Sequence, residues 1–132
     1  MPSLVGSEMC IRDRSNTFHF PHCVISIRNW EDAHLPLSQS RIAFDLFMLI
    51  GHSAHDEQPL TLKQLFNSLK YSERGIRYVL DQFIDGGWCE VVGQTEDRRF
   101  RLIVATQRLT DKLREYEQVV LSKYKTALSN QP

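Results

Sequence analysis

Arginine clusters in two short stretches of the sequence, SERGIRY (72–78) and TEDRRFRLIVAT (95–106). A guanidinium group is planar and always charged, and its fork of N–H donors matches the oxygens of a phosphate or the acceptor edge of guanine. Such recognition needs the arginines of both stretches on one surface. The secondary structure around the two stretches therefore decides whether they can bind a nucleic acid together.

The overall composition limits the functions that the chain can have. Its 132 residues are 42% hydrophobic and 24% charged, which suits one soluble domain with a buried core. The 16 basic and 16 acidic residues leave no net formal charge, which argues against non-specific polyanion binding but allows a local basic patch. No apolar run is long enough to span a membrane, and three irregularly spaced cysteines favour a reducing, cytoplasmic compartment over a disulfide framework.

Residues that would support catalysis or metal binding do not form recognisable patterns. The sequence has no nucleophile elbow, phosphate loop or carboxylate pair at motif spacing, so we do not expect an enzyme. HFPHC (19–23) and HSAH (52–55) place histidines at chelating spacing, but no second pair has ligand spacing, so we expect surface histidines, no metal and no cofactor. Cys89 is expected to be a small buried hydrophobic side chain, with a redox switch as the alternative.

The first predicted helix begins after an ambiguous segment. VISI (24–27) is compatible with a strand or with the start of a helix. Ser38 or Ser40 then caps a helix with dense apolar positions, which predicts that the helix is largely buried. Gly51 is predicted to end this helix, and HSAHDEQP (52–59) is predicted to be a polar loop.

Two further helices joined by a short turn are predicted next. Thr61 opens the capping box T-L-K-Q, in which its hydroxyl accepts a hydrogen bond from the backbone N–H of Gln64. Ser72 caps the following helix, about 73–85, which ends at Gly86-Gly87. The inward positions of that helix are Ile76, Val79, Leu80, Phe83 and Ile84. Its outward positions are Glu73, Arg74, Arg77, Tyr78, Asp81 and Gln82.

A β-hairpin and a long helix complete the pattern. WCEVV (88–92) and RFRLIVAT (99–106) are predicted strands around the turn GQTED, and Trp88 is a predicted core anchor. In the second strand, Phe100, Leu102 and Val104 share one face, and Arg101 and Ile103 share the other. A helix from Gln107 to about Leu128 must bury its apolar stripe against another surface. The stripe consists of Leu109, Leu113, Tyr116, Val120 and Tyr124.

A helix-turn-helix followed directly by a hairpin indicates a winged helix, mostly α with a small β-hairpin wing. The second helix of such a motif faces base edges and phosphates in the major groove, and arginines at a wing tip can enter the minor groove. The candidate DNA-binding residues are Ser72, Arg74, Arg77, Tyr78, Arg98 and Arg99. Taken alone, DRRFR (97–101) is ordinary surface sequence; its position in the predicted fold gives it meaning.

The wing residues resemble the MarR family of bacterial winged-helix transcriptional regulators, whose signature is Asp-x-Arg-x-x-x-(Val/Ile)-x-Leu-Thr. Here the signature reads Asp97, Arg99, Ile103, Ala105 and Thr106, with alanine where leucine is usual. The stretch LTLKQLFNSLKYSERGIRYVLDQFIDGGWCEV is also similar to the family's helix-turn-helix and first wing strand, so the resemblance covers about residues 36–112.

The resemblance implies roles for individual residues. Asp97 would brace the wing, Arg99 and its neighbour Arg98 would reach DNA, and the helix that follows Ser72 would read the major groove. Members of the family are typically homodimers held by their N- and C-terminal helices. They often release DNA when a small phenolic or oxidant ligand binds near the dimer seam. Tyr116, Val120 and Tyr124 are candidates to line such an effector site, but we expect them to form a simple packing stripe.

These observations predict four segments. LVGSEMCIRDR (4–14) resembles translated adaptor sequence, so residues 1–15 are expected to be non-native and are excluded from fold reasoning. Residues 16–37 form an N-terminal segment, 38–106 the winged helix-turn-helix domain, and 107–132 a C-terminal helix for dimerisation.

The predicted function is sequence-specific binding of double-stranded DNA by a homodimer that regulates transcription. The main alternative is a protein-interaction module that retains the winged-helix scaffold without binding DNA. The absence of net charge and the acids interleaved with the arginines favour that alternative. A sensor that acts through Cys89 is a third hypothesis.

Overall fold

The computed structural model describes residues 19–38, 40–93 and 101–129. In this part of the chain five helices and three strands follow one another: α1 (His19–His34), α2 (Arg41–His55), β1 (Leu60–Thr61), α3 (Leu62–Ser68), α4 (Glu73–Asp85), β2 (Cys89–Val92), β3 (Leu102–Ala105) and α5 (Gln107–Ser129). Pro36 to Arg114 form one compact unit, here called the winged unit. The described residues up to Leu35 and from Glu115 onward form a second, here called the helical unit.

Helix α2 begins where the sequence predicts but continues further. Ser40 is its N-cap, and Ser40 Oγ accepts a hydrogen bond from the Ala43 N–H at 3.2 Å. The prediction that Gly51 ends the helix was wrong, because HSAH (52–55) is helical rather than a loop. Gly51 is buried, and a Cβ there would overlap the side chain of Leu113 on α5. This glycine therefore allows close packing of two helices instead of terminating one.

Helices α3 and α4 confirm the predicted capping. The Thr61 hydroxyl accepts from the Gln64 N–H at 3.1 Å, and the Gln64 side chain accepts from the Thr61 N–H at 2.9 Å. Ser72 Oγ accepts from the Gly75 N–H at 3.1 Å and starts α4 at the predicted residue. The chain leaves α4 through Gly87, whose positive φ of 76° suits glycine.

The sheet has three antiparallel strands, with β3 between β1 and β2. Cys89 lies opposite Ala105, and Leu60 lies opposite Ile103. Strand β1 was not predicted, because two residues cannot show the alternation that identifies a strand. Ile103 is 1% exposed, so its face of β3 points into the core. The predicted GQTED turn continues beyond Gly93 into residues outside the described part of the chain.

Aromatic side chains form the centre of the winged unit. Phe47 contacts the ring of Phe83 edge-on at 5.9 Å between centroids, and it meets Trp88 at 5.8 Å. Trp88 is buried, which confirms its predicted role as a core anchor. Side chains of the unit that are completely buried include Leu46, Phe47, Ile50, Leu65, Ile76 and Leu109.

The helical unit contains a partly buried polar pair. The sequence left residues 24–27 open between strand and helix, and the structure places them in α1. Tyr116 Oη donates a hydrogen bond to Glu31 Oε2 at 2.5 Å, and the Trp30 ring stacks on Tyr116 at 5.6 Å. Burial and the hydrogen bond to Glu31 raise the pKa of Tyr116. The buried carboxylate of Glu31 therefore has a donor, without which its burial would be costly.

Several apolar side chains of the helical unit remain in contact with solvent. They are Phe20, Ile25, Leu121, Tyr124 and Leu128. Leu109, in the winged unit, is the buried start of the predicted α5 stripe, whereas Tyr124 near its end is 37% exposed. Across the described ranges, none of the helices combines the length and hydropathy that a bilayer-spanning segment requires.

Candidate nucleic-acid interface

Helix α4 presents the four candidate residues of its N-terminal half to solvent. Ser72, Arg74, Arg77 and Tyr78 are all exposed, and Tyr78 reaches 66%. The opposite face is held in the core by Ile76, Val79, Leu80 and Phe83. An amphipathic helix of this kind is anchored by one side and free to contact a partner with the other. The predicted assignment of inward and outward positions is confirmed, except that Ile84 is only half-buried.

The guanidinium group of Arg77 is held by the preceding helix. Its Cζ lies over the ring of Phe66, 5.1 Å from the centroid. A stacked guanidinium has fewer rotamers to lose when it binds a ligand, and its N–H groups stay free to donate in the plane. The sequence did not indicate this contact, because Phe66 and Arg77 lie on two different helices.

Charge is unevenly distributed along the helix-turn-helix. Residues 62–78 contain four basic residues, which are Lys63, Lys70, Arg74 and Arg77, and one acid, Glu73. Glu73 lies in the first turn of α4, where a carboxylate stabilises the helix dipole. The other two acids of α4, Asp81 and Asp85, follow in its C-terminal half. Along the chain, the basic residues therefore come before or within the N-terminal half of α4, and the acids Asp81 and Asp85 come after them.

The predicted wing tip falls between the two strands of the hairpin that follows α4. Asp97, Arg98 and Arg99 lie outside the described residues, as does Phe100. Strands β2 and β3 form the base of the hairpin, directly after α4 in the chain. The order of elements required for a wing is present, while the convergence of Arg98 and Arg99 with the α4 arginines stays a prediction.

Arg101 lies close to Arg77, although it was not among the predicted contact residues. It lines a cavity of about 180 Å³ together with Arg77 and Asp81. The rest of the lining is apolar and includes Leu80, Ile84 and Ile103. The sequence carried one relevant signal, since Arg101 shares a strand face with Ile103, which turns out to be the inward face.

The C-terminal end of α4 is fastened to the start of α5. Arg108 lies over the Trp88 ring at 4.0 Å and donates a hydrogen bond to the carbonyl of Gly86, the C-cap of α4. Thr106 Oγ1 donates to the Gly87 carbonyl at 2.6 Å. Carbonyls at a helix end need such donors. These contacts fix the corner between α4 and the wing.

Neither Cys89 nor the histidines form a reactive or metal-binding cluster in the described residues. Cys89 is 1% exposed, and burial, with a smaller contribution from Glu90, raises its pKa to about 11. A reactive thiol needs the opposite shift and access to solvent, so the geometry does not favour a redox switch at this position. His52 contacts Asp56 at 3.2 Å, and no group of three or more potential metal ligands was found among these residues.

A second cavity, of about 360 Å³, lies within the helical unit. It is lined by α1 and α5, and its polar lining includes His19, His22, Ser26, Ser122, Lys123 and Thr126. Tyr116, Val120 and Tyr124, which were considered as residues that could line an effector site, are not part of this lining. Tyr116 instead takes part in the packing of α5 against α1, where it donates its hydrogen bond to Glu31.

No protein-family model matches the sequence, and no curated protein sequence matches it. Solved structures do match the fold. Rv1404 from Mycobacterium tuberculosis has a TM-score of 0.66 at 12% identity, covering 100% of this chain and 82% of that one. MepR, a transcription regulator of the Staphylococcus aureus multidrug efflux pump MepA, has a TM-score of 0.62 at 12% identity, covering 89% and 84%.

A mutant of MarR from E. coli, complexed with operator DNA, also matches. Its TM-score is 0.53 at 19% identity, covering 85% of this chain and 81% of that one. At such identities a structural match establishes the fold and leaves the function to be argued from the site. The predicted fold class is confirmed: the chain has the winged helix-turn-helix fold of MarR-type regulators.

Proposed function

We propose that this protein binds double-stranded DNA in a sequence-specific manner and regulates transcription, with α4 as its recognition helix. One observation carries the proposal. The second helix of a helix-turn-helix buries its apolar face and presents Ser72, Arg74, Arg77 and Tyr78 on its free face. In this motif the N-terminal residues of the second helix contact base edges in the major groove.

Each residue type suits a particular contact. Arg74 or Arg77 would bind a guanine through two hydrogen bonds, which contributes roughly 1–3 kcal/mol of discrimination against other bases. The hydroxyls of Ser72 and Tyr78 would bind phosphates, which position the protein without reading sequence. On the wing, Arg98 and Arg99 would enter the minor groove, with Asp97 bracing the turn.

The distribution of charge along α4 is compatible with its N-terminal half facing DNA. The protein as a whole is neutral, so its affinity must depend on where the charges lie. Along the sequence, Lys63, Lys70, Arg74 and Arg77 precede or fall in the N-terminal half of α4, and Asp81 and Asp85 lie in its C-terminal half. The solved structure of MarR with operator DNA shows that this fold can bind a duplex.

We further propose that the helical unit, including the C-terminal part of α5, mediates a two-fold homodimer. Phe20, Ile25, Leu121 and Leu128 are each at least 59% exposed, and a second copy would remove them from water. A symmetric dimer on DNA reads two half-sites, so the preferred duplex would be a pseudo-palindrome. Repression by occlusion of the promoter is the simplest consequence.

Selection of bound duplexes from a random library tests the central proposal. A palindromic consensus is expected; recovery of no enriched sequence from the wild-type protein would refute sequence reading. Arg77→Ala and Arg74→Ala are each expected to relax the preference at one base pair, by roughly 1–3 kcal/mol. Arg114→Ala is the matched control, because it removes an exposed arginine of α5.

The wing is tested separately by its salt dependence. Replacing Arg98 and Arg99 by alanine should weaken binding to every duplex and flatten the slope of log affinity against log salt by about one to two units. An unchanged slope would count against contact between the wing and DNA.

The second candidate function is a protein-interaction module. The neutral chain and the acids Glu73 and Asp81 on the exposed face of α4 favour it. A gel-shift experiment with random duplex at low salt separates the two functions. The absence of a shift at micromolar protein would favour the interaction module.

A further inference from the structure

The turn before the recognition helix is tied to α2 by one hydrogen bond. Tyr71 Oη donates to Asp45 Oδ2 at 2.6 Å, across 26 positions of sequence, and both side chains are partly buried. The bond to the carboxylate is the main cause that raises the pKa of Tyr71, while Arg41 acts in the opposite direction. Hydrogen bonds to an ionised acceptor are among the stronger ones in proteins.

This bond acts on the first turn of α4. Tyr71 directly precedes Ser72, the residue that caps α4. A Cβ on Gly75 would stand 3.1 Å from Ile42 Cδ1, so α2 and α4 approach closely one turn further along. The N-terminal end of α4 therefore contacts α2 in two ways. Gly75 packs against Ile42, and the neighbouring Tyr71 donates its hydrogen bond to Asp45.

We propose that Tyr71 is a positioning residue, which with Asp45 holds the N-terminal turn of α4 at the angle needed for base reading. The inference rests on the proposed function. Two-bond recognition of a base tolerates displacements of only about 0.5 Å, so the supporting contacts of the helix matter as much as the contacting arginines. Contacts with phosphates are less demanding, since they depend mainly on charge.

The test is Tyr71→Phe, which removes one hydroxyl and no charge. Affinity for the selected duplex is expected to fall about three- to tenfold, the equivalent of one hydrogen bond. Affinity for random duplex and the salt slope are expected to stay unchanged, because every cation remains. The discriminating readout is therefore the ratio of specific to non-specific affinity, measured well below the melting temperature of each variant.

Asp45 supplies the rescue experiment. Asp45→Asn keeps an oxygen acceptor and should preserve most of the discrimination, whereas Asp45→Ala should reduce it like Tyr71→Phe. The double variant Tyr71→Phe/Asp45→Ala should lose no more than either single change, because both remove the same bond. Tyr124→Phe is the matched control, since it removes a phenol hydroxyl from the helical unit. If Tyr71→Phe does not fold, the Asp45 pair of variants carries the test.

The outcomes separate the two proposals. A wild-type protein that binds no duplex refutes DNA binding itself. If the wild type discriminates between duplexes and Tyr71→Phe discriminates equally well, only the positioning role is refuted. Equal loss on specific and random duplexes, or additive losses in the double variant, would also refute that role.

Discussion

The winged unit and the helical unit differ in how completely they bury their apolar side chains. The winged unit encloses Phe47, Leu65 and Ile76 without any exposure. In the described part of the helical unit, the buried residues are Cys23, Ile27, Glu31 and Leu35, and one of these is a carboxylate. Two helices alone cannot surround a core, because each can cover only one stripe of the other. Among the described residues, the winged unit therefore encloses a core of its own, whereas the helical unit leaves several of its large apolar side chains exposed.

The two units also use polar contacts differently. In the winged unit, Tyr71 donates a hydrogen bond next to the N-terminal end of α4, and Arg108 donates one at its C-terminal end. In the helical unit, Tyr116 donates a hydrogen bond to Glu31, one of the few buried residues in the described part of that unit. Loss of this hydrogen bond would therefore leave one of the few buried polar groups of that unit without its donor.

The largest difference is expected between Phe47→Ala and Ile25→Ala. Phe47→Ala should lower the free energy of unfolding by about 3–5 kcal/mol, because it empties the centre of the winged core. Ile25 is 59% exposed, so Ile25→Ala should change it by no more than about 0.5 kcal/mol in the monomer. Urea denaturation at low protein concentration measures both. Similar losses for the two variants would contradict the comparison.

Tyr116→Phe should destabilise the protein by about 1–3 kcal/mol, because Glu31 loses its donor while staying buried. Thermal and urea unfolding measure the loss, and Tyr124→Phe, at an exposed tyrosine, serves as the control.

Because the pKa of Tyr116 is raised in the folded protein, the free energy of unfolding should also depend on alkaline pH. The stabilising effect of Tyr116 is complete below pH 10, the ordinary value, and is lost as the pH rises above it. Tyr116→Phe should remove this alkaline dependence; an unchanged profile would argue against the bond.

Leu121→Glu tests whether a second copy completes the helical unit. A charge placed in an apolar interface should weaken self-association at least tenfold, or about 1.4 kcal/mol. The monomer should keep its stability, because Leu121 is 59% exposed. Sedimentation velocity over a range of concentrations measures the change, with Glu117→Gln on the exposed surface of α5 as a control. A wild-type protein that remains monomeric at all concentrations would exclude the dimer.

The smallest effect is expected at Cys89. Its thiol has a pKa of about 11 in the folded protein against an ordinary value of 9.0, so folding favours the protonated form. The associated stability is present below pH 9 and is lost as the pH rises through 11. Cys89→Ala should show a flatter decline in this window. Thiol labelling at neutral pH should be slow at Cys89 in the native state; rapid labelling would revive a redox role.

Local features of the sequence predicted much of the winged unit. Thr61 with Gln64 and Ser72 with Gly75 are capping pairs three residues apart, so their geometry is set within one turn. Predictions failed where the pattern was ambiguous or too short. Gly51 is the residue type that commonly ends a helix, yet here it allows the side chain of Leu113, distant in sequence, to pack closely against α2. Strand β1 exists only because β3 pairs with it.

The sequence by itself determined the N-caps of α2, α3 and α4, the amphipathic pattern of α4 and the types of residue on its free face. These properties depend on neighbours within one or two turns, which the linear order of residues specifies. Only the tertiary structure decided that Arg77 stacks on the Phe66 ring and that Arg101 lines the same cavity as Arg77. It also decided that Tyr71 donates a hydrogen bond to Asp45. Such contacts join separate elements, so they follow from how the helices and the sheet pack.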